Sequence, residues 1–164
     1  MSQPFPHRAL ALFCTALVCA LAFASPADAQ RRSKDVPKND PTNDPYTEGD
    51  PEVWKEIGVV SMGGFDFGES NTKTIDEQLP MCEILWLETA HFKIGFALGS
   101  YKVPQKEKDK ILGELTLLSE TLPNLKPKQK TLDPWLRLHL YGQRAEQLYQ
   151  RFLDLVQVEE SVFP

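Results

Sequence analysis

The sequence predicts an α+β fold in which a small antiparallel sheet is packed by two long antiparallel helices. Three observations indicate it: short extended pieces separated by glycines, one stretch of alternating apolar residues, and two later stretches with helical periodicity. Strands followed by helices are typical of α+β domains, in which helices cover one side of an antiparallel sheet. The 164 residues, 41% of them hydrophobic and 25% charged, suit one such domain.

The first 29 residues have the pattern of an export signal peptide. A short n-region with Arg8 precedes an apolar run over residues 9–24, and Ala27 and Ala29 supply the small residues expected before a cleavage site. The apolar run is shorter than the roughly 20 residues that span a membrane. We therefore expect cleavage between Ala29 and Gln30, a secreted or periplasmic protein, and no stable membrane insertion after cleavage.

Residues 30–52 contain four prolines, two Asn-Asp-Pro triplets and almost no apolar side chains. Such a segment buries too little surface to offset its chain entropy, which predicts a disordered linker. Asp40, Asp44 and Asp50 lack the spacing of an EF-hand calcium loop, and prolines interrupt them. The single α+β domain is therefore expected over residues 53–164.

The first part of this domain combines apolar residues with four glycines between residues 58 and 68, which predicts short strands joined by tight turns. A short helix is predicted over residues 74–79, because Thr74 and Glu77 have the spacing of a capping box.

Residues 84–98 carry the clearest strand pattern. Their even positions are apolar except for Glu88, and from Thr89 onward the odd positions are small or polar. A single strand would place Glu88 on the buried face, where an unpaired carboxylate is costly. Either Glu88 has a partner, or the strand breaks near Glu88 and Thr89 and is really two strands.

Two amphipathic helices are predicted over residues 104–122 and 134–157. Each begins at a proline, and Asp133 is a strong N-cap for the second. Each also contains one glycine, Gly113 or Gly142, which costs up to about 1 kcal/mol relative to alanine unless another element approaches closely. The predicted apolar face of the second helix consists of Leu138, Tyr141, Ala145, Leu148, Phe152 and Leu155.

Few residues that could support catalysis or bind a metal remain after the leader. Cys82 is then the only thiol, and a small buried side chain is expected there. Glu88 and His91 form a Glu-x-x-His, but on a strand their side chains point to opposite faces and cannot share a metal. We therefore expect no catalytic residue, no metal and no cofactor. The alternative is a small hydrolase that uses Cys82 with His91 or His139.

The second helix also carries a candidate partner-binding face beside Gly142. This face consists of Trp135, His139, Gln143 and Glu146. In the alternative interpretation, Trp135 packs against the sheet and His139 is a residue at the core boundary. An arginine recurs every seven residues along the same helix, at positions 137, 144 and 151, either paired with acidic groups or as a solvated flank. The partner would be an unknown protein or a cell-envelope component. The net charge of −5 argues against nonspecific nucleic-acid binding.

The segments ILWLETAHFKIGFALGSYKVP, from Ile84, and TLDPWLRLHLYGQRAEQLY, residues 131–149, carry a resemblance to a known family. They resemble the N-terminal region of secreted bacterial proteins of the peptidase-MA-like (gluzincin-like) type, common in planctomycete-like bacteria. In such proteins the peptidase-like part lies downstream, and this chain ends at Pro164. The resemblance therefore implies an exported, non-catalytic accessory or interaction domain, as a truncated product or a stand-alone version, with a free-standing cell-envelope partner-binding protein as the alternative.

Overall fold

A computed structural model describes residues 37–162 of the chain. The expected signal peptide, with its cleavage site between Ala29 and Gln30, lies outside the described residues. The described part is an α+β structure, as the sequence predicts. Four α-helices are present in this part: α1 (Pro51–Glu56), α2 (Thr72–Gln78), α3 (Lys108–Leu118) and α4 (Pro134–Val156). The strands are β1 (Val59–Ser61), β2 (Asp66–Phe67), β3 (Ser70–Asn71), β4 (Leu85–Thr89), β5 (Lys93–Phe96), β6 (Tyr101–Lys102) and β7 (Thr131–Leu132).

The central element is a three-stranded antiparallel sheet with the order β1-β4-β5, and two small two-stranded pairs, β2-β3 and β6-β7, accompany it. The strand predicted over residues 84–98 is a hairpin, with Leu85 opposite Phe96 and Glu88 opposite Lys93. Both alternatives for Glu88 hold, because the strand breaks after Thr89 and Glu88 also accepts a hydrogen bond from Ser61 Oγ at 2.6 Å.

β4 is buried on both faces, whereas the alternation over residues 84–98 predicts one buried face and one partly solvent-exposed face. Leu85 and Leu87 belong to the main core, whereas Trp86 packs with Phe65 and Ile84 in a second apolar cluster on the other side. α4 contacts β4, and α3 contacts α4. The sheet therefore has an apolar layer on each side, and the larger layer is formed with the helices.

The helix that carries the candidate face begins where the sequence predicts. Asp133 Oδ1 accepts a hydrogen bond from the backbone N–H of Leu136 at 3.0 Å, and Pro134 occupies the first turn. Gln157 ends α4 in the left-handed conformation, with φ 54°. α2 differs from its prediction, since Asn71 caps it by accepting from the Thr74 N–H, and the expected Thr74–Glu77 box is not its start.

α3 is shorter than predicted, because a 3₁₀ turn, Gln105–Glu107, precedes it and its cap lies at Ser119. The predicted apolar face of α4 is only partly right. Leu138 is fully buried, but the stripe becomes solvent-exposed toward the C-terminal end of the helix. The exposed apolar residues of this stripe are Tyr141, Leu148, Phe152 and Leu155.

The prediction of a disordered linker is wrong for residues 37–52. Asp44 is fully buried, and Tyr46 and Thr47 are 8% and 3% exposed. Their polar groups are paired: Asp44 Oδ1 accepts from the Tyr46 N–H and Asp44 Oδ2 from the Thr47 hydroxyl, at 3.0 and 2.6 Å. A segment with few apolar residues can therefore be ordered, because hydrogen bonds within the segment and one aromatic side chain attach it to the core.

Candidate functional site

A cleft of about 540 Å³ lies along α4, opposite the ends of β1 and β4. One wall is apolar and consists of Ile57, Val59, Leu87, Ala90 and Leu118. The other wall is the polar flank of α4, with His139, Gln143, Glu146, Gln147, Gln150 and Arg151. Clefts with a mainly apolar lining and a few polar groups are the usual form of a small-ligand site.

Three of the four residues of the predicted partner-binding face, His139, Gln143 and Glu146, line this cleft. They lie together because positions four and seven residues apart share one face of a helix. Trp135, the fourth, is not among the cleft residues. Its side chain is 9% exposed and belongs to the main core, in agreement with the alternative interpretation of this residue.

Gly142 lies between these residues and the sheet. A Cβ at this position would stand 2.6 Å from Leu87 Cδ2, a distance too short for two carbon atoms. The absence of a side chain therefore lets α4 approach β4 closely, which accounts for a glycine in the interior of a helix. This close approach also sets the position of His139 and Gln143 beside the sheet.

A buried acid and base pair forms the inner end of the site. His139 Nε2 lies 2.7 Å from Asp44 Oδ2, and their side chains are 2% and 0% exposed. Burial raises the pKa of the Asp44 carboxyl, but the hydrogen bonds from His139, Thr47 and the Tyr46 N–H outweigh it and hold this pKa below its ordinary value. The carboxylate therefore accepts from Nε2 and fixes the orientation of the imidazole.

The segment that carries Asp44 is attached at two further points. The Tyr46 hydroxyl donates to Asp133 Oδ2 at 2.5 Å, and the Trp54 indole N–H donates to Thr47 Oγ1 at 3.1 Å. Burial, together with the Asp133 carboxylate, raises the pKa of Tyr46, so this hydroxyl stays protonated. Asp133 thus caps α4 with one oxygen and holds the N-terminal segment with the other.

Gln143 has a buried polar atom without a partner. Its Oε1 is inaccessible to solvent and accepts no hydrogen bond from any described residue. Native structures pair nearly all buried polar atoms, so such an atom in a cleft requires an explanation. It is the one buried side-chain oxygen or nitrogen without a partner found among residues 37–162.

Glu146, at the outer part of the cleft, is held by His91. His91 Nδ1 lies 2.7 Å from Glu146 Oε2, the His91 N–H donates to Glu146 Oε1 at 3.2 Å, and His91 Nε2 lies 2.7 Å from Glu160 Oε1. The imidazole also stacks on Tyr149, with ring centroids 3.9 Å apart. Hydrogen bonds to Glu160 and Glu146 raise the pKa of His91 above its ordinary value, which favours an imidazolium that donates from both nitrogens.

Burial alone would raise the pKa of Glu146, but hydrogen bonds from Thr89 and His91 lower it below its ordinary value. Glu146 is therefore a carboxylate whose charge is met by His91. It follows that Glu146 does not present a free negative charge to the cleft.

The arginines of α4 have three different environments. Arg144 donates to both oxygens of Glu114, at 3.2 and 2.6 Å. Arg137 donates to the carbonyl of Gly99 and lies over the rings of Phe96 and Tyr101. Arg151 lines the cleft and forms no hydrogen bond or ion pair with any residue from 37 to 162.

Cys82 does not lie in the cleft, and the expectation that it is buried is wrong. The thiol is exposed, because the residue belongs to the turn that follows α2 and Pro80. In the described part of the chain, no hydrogen bond joins Cys82 to a histidine, and no three His, Cys, Asp or Glu side chains are arranged to hold a metal ion. The cleft hydroxyls are engaged: Thr121 donates to Leu118 O, and Thr89 accepts from the Phe92 N–H besides its hydrogen bond to Glu146.

No family model, curated protein or solved structure matches this chain. The functional interpretation therefore depends on the geometry of the cleft and on the sequence. Asp44 is the residue of this site that sequence reasoning missed, since its partner His139 is 95 residues away. The local signal was the triplet of Asp44, Pro45 and Tyr46, in which an aspartate precedes a proline and a large aromatic residue in an otherwise polar segment.

Proposed function

We propose that this chain is an exported, non-catalytic binding domain, the accessory region of a secreted peptidase-like protein, and that the cleft along α4 holds its ligand. The observation that carries the binding function is the buried, unpartnered Oε1 of Gln143 within an apolar cleft. Rotation of the Gln143 amide toward the open cleft would let a ligand donate a hydrogen bond to this oxygen and satisfy it. Leaving a buried acceptor unpaired costs about 1–3 kcal/mol, a cost that binding would recover.

The apolar wall indicates the rest of the ligand. Ile57 is half-buried and Ala90 is exposed, and both line the cleft, so the ligand has an apolar body. The buried Asp44–His139 pair has a positioning role in this proposal, because it holds α4 against the N-terminal segment. Export is supported by the leader pattern of residues 1–29, and the accessory role by the resemblance carried by residues 131–149.

The variant Gln143→Leu tests the binding function. We expect the free energy of unfolding to rise by about 1 kcal/mol, because the unpartnered acceptor is replaced by an apolar group of similar size. Binding of isovaleramide, a small amide with an apolar body, should shift the backbone amide signals of Gly142 and Gln143 in the unsubstituted protein and leave those of the variant unchanged. Urea unfolding and NMR titration measure the two effects.

Gln78→Leu is the matched control, since Gln78 is an exposed residue at the end of α2, away from the cleft. This variant should change the free energy of unfolding by no more than a few tenths of a kcal/mol. It should leave the NMR titration with isovaleramide as it is in the unsubstituted protein. A Gln143→Leu protein that is destabilised and still binds the amide would show that Gln143 is a structural residue, and the proposal would be wrong.

A different surface favours a second candidate, a partner-binding protein. Within the described residues, Leu148 and Leu155 are 67% and 82% exposed on α4, and large exposed apolar side chains on one face are typical of an interaction surface. If this surface binds a partner or a second copy, Leu148→Glu with Leu155→Glu should shift the sedimentation coefficient of the complex toward that of the monomer. An unsubstituted protein that sediments as a monomer and captures no cell-envelope component would contradict this candidate.

A further inference from the structure

We infer that the ligand of this cleft is the C-terminal end of a short extended peptide with aliphatic side chains, its carboxylate bound by Arg151. The inference rests on the proposed binding function and names the ligand class. It is carried by three features of the same cleft: the charge of the polar wall, the unpartnered amides along α4, and their spacing.

The charge of the wall is that of Arg151. Three ionisable side chains line the described cleft, and two of them are already paired: His139 with Asp44, and Glu146 with His91. Arg151 forms no ion pair with any described residue. The described cleft thus offers one unmatched positive charge, and a guanidinium binds a carboxylate through two parallel hydrogen bonds.

The amides of the wall indicate a peptide. Gln143, Gln147 and Gln150 line the cleft, and none of them has a hydrogen-bond partner in the part of the chain that the structure describes. A glutamine side chain has one acceptor and two donors, which is the complement of a peptide group with its N–H and its carbonyl. An aliphatic acid without amides would leave the buried Oε1 of Gln143 unsatisfied.

The spacing of these residues fits an extended chain. Gln143 and Gln147 lie about 6 Å apart along the helix axis, and Gln143 and Arg151 about 12 Å, at 1.5 Å per residue. An extended peptide advances about 3.3–3.6 Å per residue, so alternate residues recur every 7 Å or so and three to four residues cover about 12 Å. One peptide can therefore meet Gln143 inside the cleft and place its carboxylate at Arg151.

The experiment compares acetyl-Ala-Leu-Leu with a free carboxylate against the same peptide as its C-terminal amide, by isothermal titration calorimetry on the full chain. We expect the acid to bind at least tenfold more tightly than the amide, because the amide lacks the charge that Arg151 binds. Acetyl-Ser-Ser-Ser with a free carboxylate should bind at least tenfold more weakly than the leucine peptide, since it lacks the apolar side chains.

Arg151→Gln should abolish the preference for the acid without changing the unfolding midpoint, because Arg151 is exposed. Lys110→Gln, an exposed cation on α3 outside the cleft, makes the same change in net charge and should keep the preference. Equal binding of acid and amide would overturn this inference. If Gln143→Leu then abolished binding of both the acid and the amide, the cleft would still be a binding site. Binding of both peptides that Gln143→Leu leaves unchanged would contradict the proposed function as well.

Discussion

At the scale of single residues, loss of the Asp44–His139 interaction should lower the free energy of unfolding the most. Both side chains are almost fully buried, so Asp44→Ala leaves the imidazole N–H without an acceptor in the core. Removing one partner of a buried pair costs about 3–5 kcal/mol. We expect a loss of this size in urea unfolding, and a smaller one for Asp44→Asn, whose amide oxygen still accepts a hydrogen bond.

Asp50→Ala is the control for this prediction. Asp50 caps α1 by accepting from the Glu52 N–H, but unlike Asp44 it is exposed. An N-cap contributes about 1 kcal/mol. Equal losses for the two alanine variants would mean that the buried pair contributes no more than a cap.

His91 gives the protein a dependence on pH that can be assigned to one residue. Its pKa is raised in the folded state by Glu160 and Glu146, so the stabilisation is fully present below the unfolded pKa of about 6.5 and is lost as the pH rises through the folded pKa. The free energy of unfolding should therefore fall as the pH rises above about 6.5. His91→Gln should flatten this part of the profile, and parallel profiles for the two proteins would contradict the assignment.

At the scale of elements, Gly113 and Gly142 test what holds α4 against β4. Both lie inside helices, but a Cβ at Gly113 would meet nothing within 4 Å, whereas one at Gly142 would meet Leu87. Gly113→Ala should raise the free energy of unfolding by up to about 1 kcal/mol through helix propensity. Gly142→Ala should lower it by about 1 kcal/mol, because overpacking outweighs the same gain. Thermal or urea unfolding of both variants measures the difference, and equal gains would show that the helix and strand are not in close contact.

The elements that could be predicted from the sequence are those set by local chemistry. The start of α4 follows from Asp133 and Pro134, which act within one turn. The sequence alone does not decide between a break after Thr89 and a partner for Glu88, since Glu88 meets Ser61 only through the pairing of β1 with β4. Long-range pairing also explains why the cleft could be predicted only in part.

Three of four cleft candidates could be found from helical spacing alone, because residues that share a helix face stay together in any fold. Trp135 shares the same spacing but lies at the buried start of α4. The predicted apolar face of α4 is only partly right for a similar reason. Periodicity gives the direction of a side chain, but it does not give how far the neighbouring elements extend along the helix. Leu148 and Leu155 have the correct direction and lack described residues to cover them.

At the scale of the whole molecule, residues 37–52 join parts of the fold that are distant in sequence. Tyr46 contributes to the main core and binds Asp133 at the start of α4, and Asp44 binds His139 two turns later along the helix. Thr47 in turn accepts from the Trp54 indole N–H in α1. The segment therefore connects α1 with α4, a structural role that its composition does not indicate.

A pair of truncated chains tests this role. A chain of residues 36–164 keeps all of these contacts and should unfold in urea with the midpoint of the longer chain. A chain of residues 53–164, the domain expected from composition, loses Asp44, Tyr46 and Thr47 together. The loss of the buried pair alone costs about 3–5 kcal/mol against the roughly 5–15 kcal/mol by which domains are stable, so this chain should lack near-ultraviolet circular dichroism and a cooperative transition. If the two truncated chains unfolded at the same urea concentration, residues 37–52 would contribute nothing to the stability of the domain. The boundary at Val53, which composition predicts, would then be correct.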